Sequence, residues 1–417
     1  MIIVPDRLKR RDNELKSTLL QNSLKQNRKM LTETYFMSDE CRIVTREHGR
    51  MFLTVGLLVL SIVSSAQDSR TFNPFNRIRH SSLPANARSC QECHAAPVIG
   101  GSSRLTVTRV GDTKNGRYIP AENGGILHTI DAKPTEVKAN IHGLRVSLNL
   151  LGDGYVEAIS ARELELNAQQ QALKTDGMIH GEVVRVSPVE SRDSDRIVGR
   201  FGWKAQHATI LDAAADALRN ELGIPNRIFP TGSEEDRQVN PAGRENAGFV
   251  EDELNGMVEF IQNTEPIAPD PDRTKTKWAR AGSQIFDRIG CSLCHVRTLR
   301  TAPTGTKMSG SGVVVTDRLG NKEIHPFSDY LLHDVGTGDG IVQNIRPEDY
   351  DGSTANKFRT APLWGVRFRS WLMHDGRSIT YHQAIMRHGG EASEVVQNYV
   401  KLTPIEKEQL RLFLDSL

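Results

Sequence analysis

Apolar residues recur at a helical period in several separate stretches, and these carry most of the predicted structure. Gln206 to Leu222 is the strongest, an amphipathic helix ended by Gly223 and Pro225. Further helices are predicted from Ser160 (with Ala161 to Leu173 in period), over Phe249 to Thr264, over Lys277 to Ile289, and over 378–390 and 403–417. Period-two alternation is short: residues 105–130 predict a strand or hairpin, and Gly181 to Val186 with Ile197 to Trp203 a short hairpin. Gly152-Asp153-Gly154 reads as a turn, 224–247 as a polar surface loop and 300–357 as a long loop. The fold class expected is mainly α, with long loops and a few short β-hairpins.

One apolar run stands apart. Met51 to Ala66 ends in small residues, has the length of a signal-peptide core, and is short for a membrane span of about twenty residues. Cleavage after Ala66 is expected, and no cysteine follows that would anchor a lipoprotein. The polar residues 1–50 are unusually long for a leader; Met51 is read as the physiological start, with an uncleaved signal anchor as the alternative. Both readings export the remainder, so the expected location is periplasmic, with no stable membrane span after cleavage. Glu265-Pro266-Ile267-Ala268-Pro269-Asp270-Pro271-Asp272 is the clearest linker. It divides the exported part into 67–264, a linker 265–276, and 277–417.

The formal net charge of +2 argues against a nucleic-acid partner, which would need a strong basic field. Cysteine changes the picture more. Of the five cysteines, Cys41 lies in the leader and the other four form two copies of one motif, Cys90-Gln91-Glu92-Cys93-His94 and Cys291-Ser292-Leu293-Cys294-His295. Each is C-x-x-C-H, the attachment signature of c-type haem. On a helix, cysteines three apart share a face and reach two vinyl groups of a porphyrin, and the following histidine becomes the proximal iron ligand. A zinc site of two C-x-x-C knuckles is the competing reading, but it does not require the histidines. A redox disulfide would favour a single C-x-x-C beside a βαβ pattern. Two haem c groups are therefore expected, held by Cys90, Cys93 and His94 and by Cys291, Cys294 and His295, in two cytochrome c-like domains.

Beyond these motifs the chain resembles the bacterial di-haem peroxidase superfamily, in particular the di-haem oxidoreductases often labelled thiol oxidoreductases. The resemblance rests on Ala87 to His94, Gly154-Tyr155-Val156-Glu157-Ala158-Ile159, Gly199-Arg200-Phe201-Gly202-Trp203-Lys204-Ala205 and Ser328 to Asp334. It continues through Phe358 to Gly365, His374-Asp375-Gly376-Arg377 and His388-Gly389-Gly390-Glu391-Ala392, and so spans roughly 70–417.

The resemblance implies an oxidoreductase that reduces hydrogen peroxide at the N-terminal haem, with electrons relayed through the C-terminal haem from a periplasmic donor such as a small cytochrome or copper protein. Peroxide-driven oxidation of a protein or organic substrate, or non-catalytic electron transfer, are its alternatives. It implies a distal ligand for the second haem fourteen residues after His374, which is His388, with Met386 offered by a slip of two. In peroxidases a histidine follows the first haem's proximal ligand by sixteen residues; here that position is Val110 and the next histidine is His128, so the first haem is expected to be open. Glu157 is the implied proton-transfer carboxylate, with Glu163 and Glu165 behind it, and Trp203 the implied inter-haem relay. Arg200, Arg359 and Arg377 are implied propionate partners and His374 a hydrogen-bonding group near the second haem. Ca²⁺ between the domains is left open, since the ligand segment of the peroxidases is Arg369-Ser370-Trp371 here.

Overall fold

Helices begin where the sequence supplies caps. In a computed structural model, Ser160 accepts from the Glu163 amide at the start of α2 (Ala161–Lys174), just after the short α1 (Asp153–Glu157). Thr209 and Asp212 cap each other's amides at the start of α3 (Ile210–Leu222), and α4 runs Ala247–Gln262. Asp270 caps α5 (Pro271–Thr274), Thr276 caps α6 (Lys277–Arg288), and Thr380 caps α7 (Tyr381–Met386). After α8 (Ser393–Val400), α9 (Pro404–Leu414) starts with a full capping box between Thr403 and Glu406. The structure describes His94 and residues 106–114, 117–120, 126–128, 139–188, 196–222, 226–229, 247–308, 311–343 and 352–417. The leader with Cys41, the run 51–66, Cys90, Cys93 and most of the 224–247 loop lie outside the described residues. Those that are described belong to one unit spanning 72–417.

The fold is mainly helical with small antiparallel sheets. β1 (Thr106–Lys114) pairs along one edge with β4 (Ile141–Val146) and along the other with β2 (Arg117–Pro120) and then β3 (Ile126–His128). The hairpin expected over 178–203 reduces to β5 (Arg185–Val186) on β6 (Ile197–Val198). Two-residue strands interrupt the expected long loop: β7 (Leu299–Arg300) on β8 (Glu323–Ile324), and β9 (Leu332–His333) on β10 (Phe358–Arg359). Gly152-Asp153-Gly154 is a helix start rather than a turn, because Gly152 takes φ 86° and α1 begins at once. The helix expected from Gln206 starts at Ile210: Ala205 has φ 50° and a bridge between Phe201 and His207 holds the preceding residues in a loop.

Two apolar clusters position the site. One joins α1 to α4 with Leu299, Ala302, Val315, Tyr330, Leu331 and Trp364, so it draws on residues from both sides of the expected linker. The linker itself is packed: Tyr155 Oη donates to Glu265, and the Asp270 amide to Ser416 O at 2.7 Å. The second cluster is built from α6, α7 and α9, with Phe286, Phe327 and Phe413 edge to face and Arg297 over all three rings. Here α6 crosses α9 at Gly282, where a Cβ would run into Gln409 O and stand 2.9 Å from Phe413 Cβ. Gly282→Ala is expected to cost about 1–3 kcal/mol by overpacking. Urea denaturation should show a lower midpoint with an unchanged slope, and an unaltered midpoint would remove this crossing as a constraint. Among the described residues no helix is long and apolar enough to cross a membrane.

Candidate functional site

Two cavities lie against one shared wall. The first is lined mainly by apolar side chains, with Cys291, Cys294, His295, His333, His374 and His388 among them. The second contains His94 together with Arg109, Arg145, Asp153, His207 and Asp216. Trp203 and Arg359 line both.

The Cys291 motif is not carried on an α-helix. α6 ends, Gly290 turns the chain with φ 99°, and Cys291–Leu293 forms one 3₁₀ turn before Cys294 and His295. At three residues per turn, positions three apart eclipse, which aligns the two thiols more closely than an α-helix would. Neither forms a disulfide. Burial pushes the Cys291 thiol up to about 12 and raises Cys294 as well, so both stay protonated and neither is a poised nucleophile. The His295 Nδ1 bonds Phe327 O at 2.9 Å, and burial lowers its pKa to about 4. His388, just beyond α7, bonds Ala384 O through Nδ1 at 2.8 Å and is likewise lowered by burial. Both rings are neutral, and with Nδ1 engaged Nε2 is the nitrogen that could ligate an iron. Met386 is 43% exposed and outside the lining.

A buried charge cluster braces this motif. His333 lies 2.8 Å from Asp329 through Nε2 and 2.8 Å from Glu391 through Nδ1. Burial opposes its charge, but Asp329, with Cys294, outweighs burial and raises it well above its ordinary value. Two ionised acceptors need two N–H donors, which only the imidazolium supplies. Cys294 Sγ, Asp329 and His333 lie within 4.8 Å of one another, but an imidazolium offers a metal no lone pair. Glu391 also accepts from the His180 and Asp334 amides, both at 3.0 Å, and so pins the segment that carries His388.

The shared wall is aromatic. Phe358 stacks on His374 with centroids 3.6 Å apart, and Trp203 meets both rings edge-on while donating Nε1–H to Val146 O at 2.7 Å. Lys204 Nζ sits 3.9 Å over Phe358 and donates to Thr354 O, Ala355 O and Lys357 O at 3.1, 2.8 and 2.7 Å. Burial pulls this amine down to about 7, yet three acceptors require the three N–H groups of the ammonium, so the geometry holds it charged.

A family model described as "Di-haem oxidoreductase, putative peroxidase" matches residues 134–417. The chain belongs to this family. It is thus a di-haem oxidoreductase, peroxidase-like in function, and the family implies haem cofactors. No curated protein matches it. Solved structures similar to the oxidoreductase include a hydrazine synthase from Kuenenia stuttgartiensis, 14% identical with TM-score 0.38, covering 90% of this chain and 99% of that one. A MauG-like protein associated with microbial copper homeostasis is 15% identical with TM-score 0.32, over 69% and 95%. The diheme peroxidase BthA from Burkholderia thailandensis is 13% identical with TM-score 0.38, over 82% and 84%.

The residues named from the sequence of the oxidoreductase fall into two groups. His94, His295, His388, Cys291, Cys294, Trp203, Arg359 and His374 all line a cavity. Glu157, Arg200 and Arg377 line neither. Glu157 is buried, with one oxygen on the Ile210 amide at 2.8 Å and the other on Gln262 Nε2 at 2.7 Å. Burial still raises its pKa, against these bonds. Arg200 gives both terminal nitrogens to Val198 O and Ile159 O. The Arg377 side chain is 69% exposed beside Asp375. Glu165 pairs with Arg185 at the surface, and Glu163 supplies only its amide to the Ser160 cap. Val110 is buried in β1, while His128 lies in β3.

Sequence reasoning missed Arg369, Asp153, His207 and Asp216. Arg369 lines the first cavity and donates to Ser147 O at 3.2 Å, so the segment weighed for Ca²⁺ brings a half-buried cation of its own. Asp153 lines the second cavity; burial raises its pKa to about 7 against the pull of Arg359.

The donor set fits a haem at the first cavity: neutral imidazoles His295 and His388, two protonated thiols, apolar walls, and the guanidinium groups of Arg359 and Arg369 for acidic substituents. At the second, His94 is lowered to about 4 by desolvation and is a neutral imidazole, as an iron ligand must be, beside Arg109, Arg145 and Arg359.

Proposed function

We propose that the oxidoreductase is an exported, periplasmic di-haem peroxidase that reduces hydrogen peroxide at the His94 cavity with electrons arriving through the His295 cavity. The observation that supports this most is the shared wall: Trp203 and Arg359 border both cavities, so one indole would stand between two haems held there. Haem c attached through Cys90 and Cys93 and through Cys291 and Cys294 would supply the iron redox chemistry. The protein does the rest. His94 and His295 would hold the two irons, and His388 would be a further ligand to the second, a donor set that suits an electron-transfer centre. Arg359 and Arg369 would neutralise the propionates of that haem. Trp203, fixed by its bond to Val146 O, would carry electrons between the two haems, and the Lys204 ammonium holds Phe358 and His374 against it. The overall reaction takes one peroxide, two protons and two electrons from a small cytochrome or copper protein to two waters.

A pyridine haemochrome assay should find two haem c per chain, and EPR of the oxidised protein one high-spin and one low-spin ferric signal. His388→Ala should convert the low-spin signal to high spin; a low-spin signal that survives would remove His388 as a ligand. Two low-spin signals in the wild type, with no peroxide consumed, would make the protein an electron carrier instead.

A further inference from the structure

The cavity around His94 contains a histidine–carboxylate pair with no role in the scheme above. We propose that His207, oriented by Asp216, is the catalytic acid–base for peroxide at this cavity. The proposal rests on the peroxidase reading and adds the group that moves the proton.

His207 is 4% exposed and lines the cavity that also contains His94. Its backbone is fixed: its amide donates to Phe201 O at 3.3 Å, and its carbonyl accepts from the Arg200 and Phe201 amides at 2.8 and 3.0 Å. These bonds close the loop that carries Trp203 and Lys204, so the imidazole has little freedom to swing away. Nε2 lies 3.4 Å from Asp216 Oδ2. Burial works against charge on Asp216, but the hydrogen bond from His207 and the nearby Arg109 and Arg219 outweigh it and hold the carboxyl below its usual range. An ionised Asp216 fixes the ring proton on Nε2 and leaves Nδ1 as the base, the arrangement by which a carboxylate orients a histidine in acid–base sites.

Nδ1 is buried and has no hydrogen-bond partner among the described residues. A buried acceptor left unpaired is destabilising, so this nitrogen suits a donor that arrives from outside the chain. Hydrogen peroxide is such a donor. Glu157 is less suited, since both of its oxygens are already hydrogen-bonded. Asp153 shares the cavity and is the competing acid. In the step proposed, Nδ1 takes the proton of the near peroxide oxygen and passes it to the far oxygen. The O–O bond breaks and that oxygen leaves as water. The near oxygen becomes the second water with two protons and the donor's two electrons.

Cyanide offers a readout without turnover, because HCN must also surrender a proton on binding. On the haem-loaded protein, His207→Gln should slow both peroxide reaction and cyanide association by about 10²-fold or more, the range of general acid–base catalysis. Both EPR spin states should remain as in the wild type. Asp216→Asn, which keeps the imidazole, should give a smaller loss in both rates and stands in if His207→Gln does not fold. Rates within a few-fold of wild type in both variants would overturn the proposal, as would a loss confined to Asp153→Asn. A wild-type low-spin signal at the His94 haem that vanishes in His207→Gln would make His207 a ligand, and that too overturns it. If wild type consumes no peroxide while cyanide association still depends on His207, the peroxidase reading fails and the acid–base assignment stands.

Discussion

Lys204→Met lowers the stability of the folded chain by about 3 kcal/mol or more, the expected cost of leaving partly buried carbonyls without donors at about 1–3 kcal/mol each. Methionine has nearly the length and volume of lysine, so little cavity is created and the loss is polar. Lys204 is 1% exposed and its ammonium is the donor for Thr354 O, Ala355 O and Lys357 O. Ala355 and Lys357 are only partly buried, so some of their carbonyls can recover water, which places the estimate toward the low end of the sum. The same ammonium faces the Phe358 ring, and Phe358 stacks on His374. Losing it therefore loosens the wall between the two cavities as well as the 352–357 turn. Urea denaturation measures the first effect. The second appears as a change in near-ultraviolet circular dichroism of the Trp203 environment. A midpoint within error of wild type would mean that the three carbonyls find water freely and that the lysine is dispensable to the wall.

Much of this architecture was legible in the sequence where the signal is local. Caps at Ser160, Thr276, Thr380 and Thr403 stand where the periodic stretches begin, and a cap is a contact between residues three apart. The Cys291 motif is local too, and only its helix type differed: Gly290 in the left-handed region stops α6 and hands the motif to a 3₁₀ turn. What was not legible depends on contacts across long separations. Glu157 carried the right chemistry for a proton-transfer group, but its oxygens bond Ile210 and Gln262, 53 and 105 residues away. Nothing near residue 157 announces those partners. His207 and Asp216 sit nine residues apart across a loop-to-helix junction. Read as one long helix from Gln206, the stretch hides the loop that turns His207 into the cavity. The role of Lys204 is hidden in the same way, since its acceptors lie 150 to 153 residues further on. The proline-rich composition of the linker is equally silent about distant partners: Glu265 accepts from Tyr155, and the Asp270 amide donates to Ser416 O.

Glu391→Gln is expected to cost about 3 kcal/mol at neutral pH and to remove most of the acid sensitivity of the first cavity, which His333 lines. The buried His333 imidazolium is held by Asp329 and Glu391, and breaking one side of a buried pair costs about 3–5 kcal/mol. Burial alone would raise the Glu391 pKa. The His333 hydrogen bond and charge, with the His180 and Asp334 amides, reverse this and hold it down to about 2. A carboxyl whose folded pKa lies below its unfolded value of 4.5 contributes stability above pH 4.5 and loses it as the pH falls toward 2. The His333 side runs oppositely: its pKa is raised above 6.5, so its contribution is full below that pH and is lost only on the alkaline side, as the pH rises through the folded value. The two contributions overlap from mid-acid to neutral pH, which is where wild type should be most stable. Unfolding midpoints for both proteins at several pH values check this. Wild type should lose stability on acidification below pH 4.5 and Glu391→Gln should lose much less over the same interval. Parallel acid profiles would show that the imidazolium draws its stability from Asp329 alone. Because Glu391 stands three residues beyond His388 and bonds the amides of His180 and Asp334, the same variant should also disturb the low-spin haem signal, linking the charge cluster to the ligand it positions.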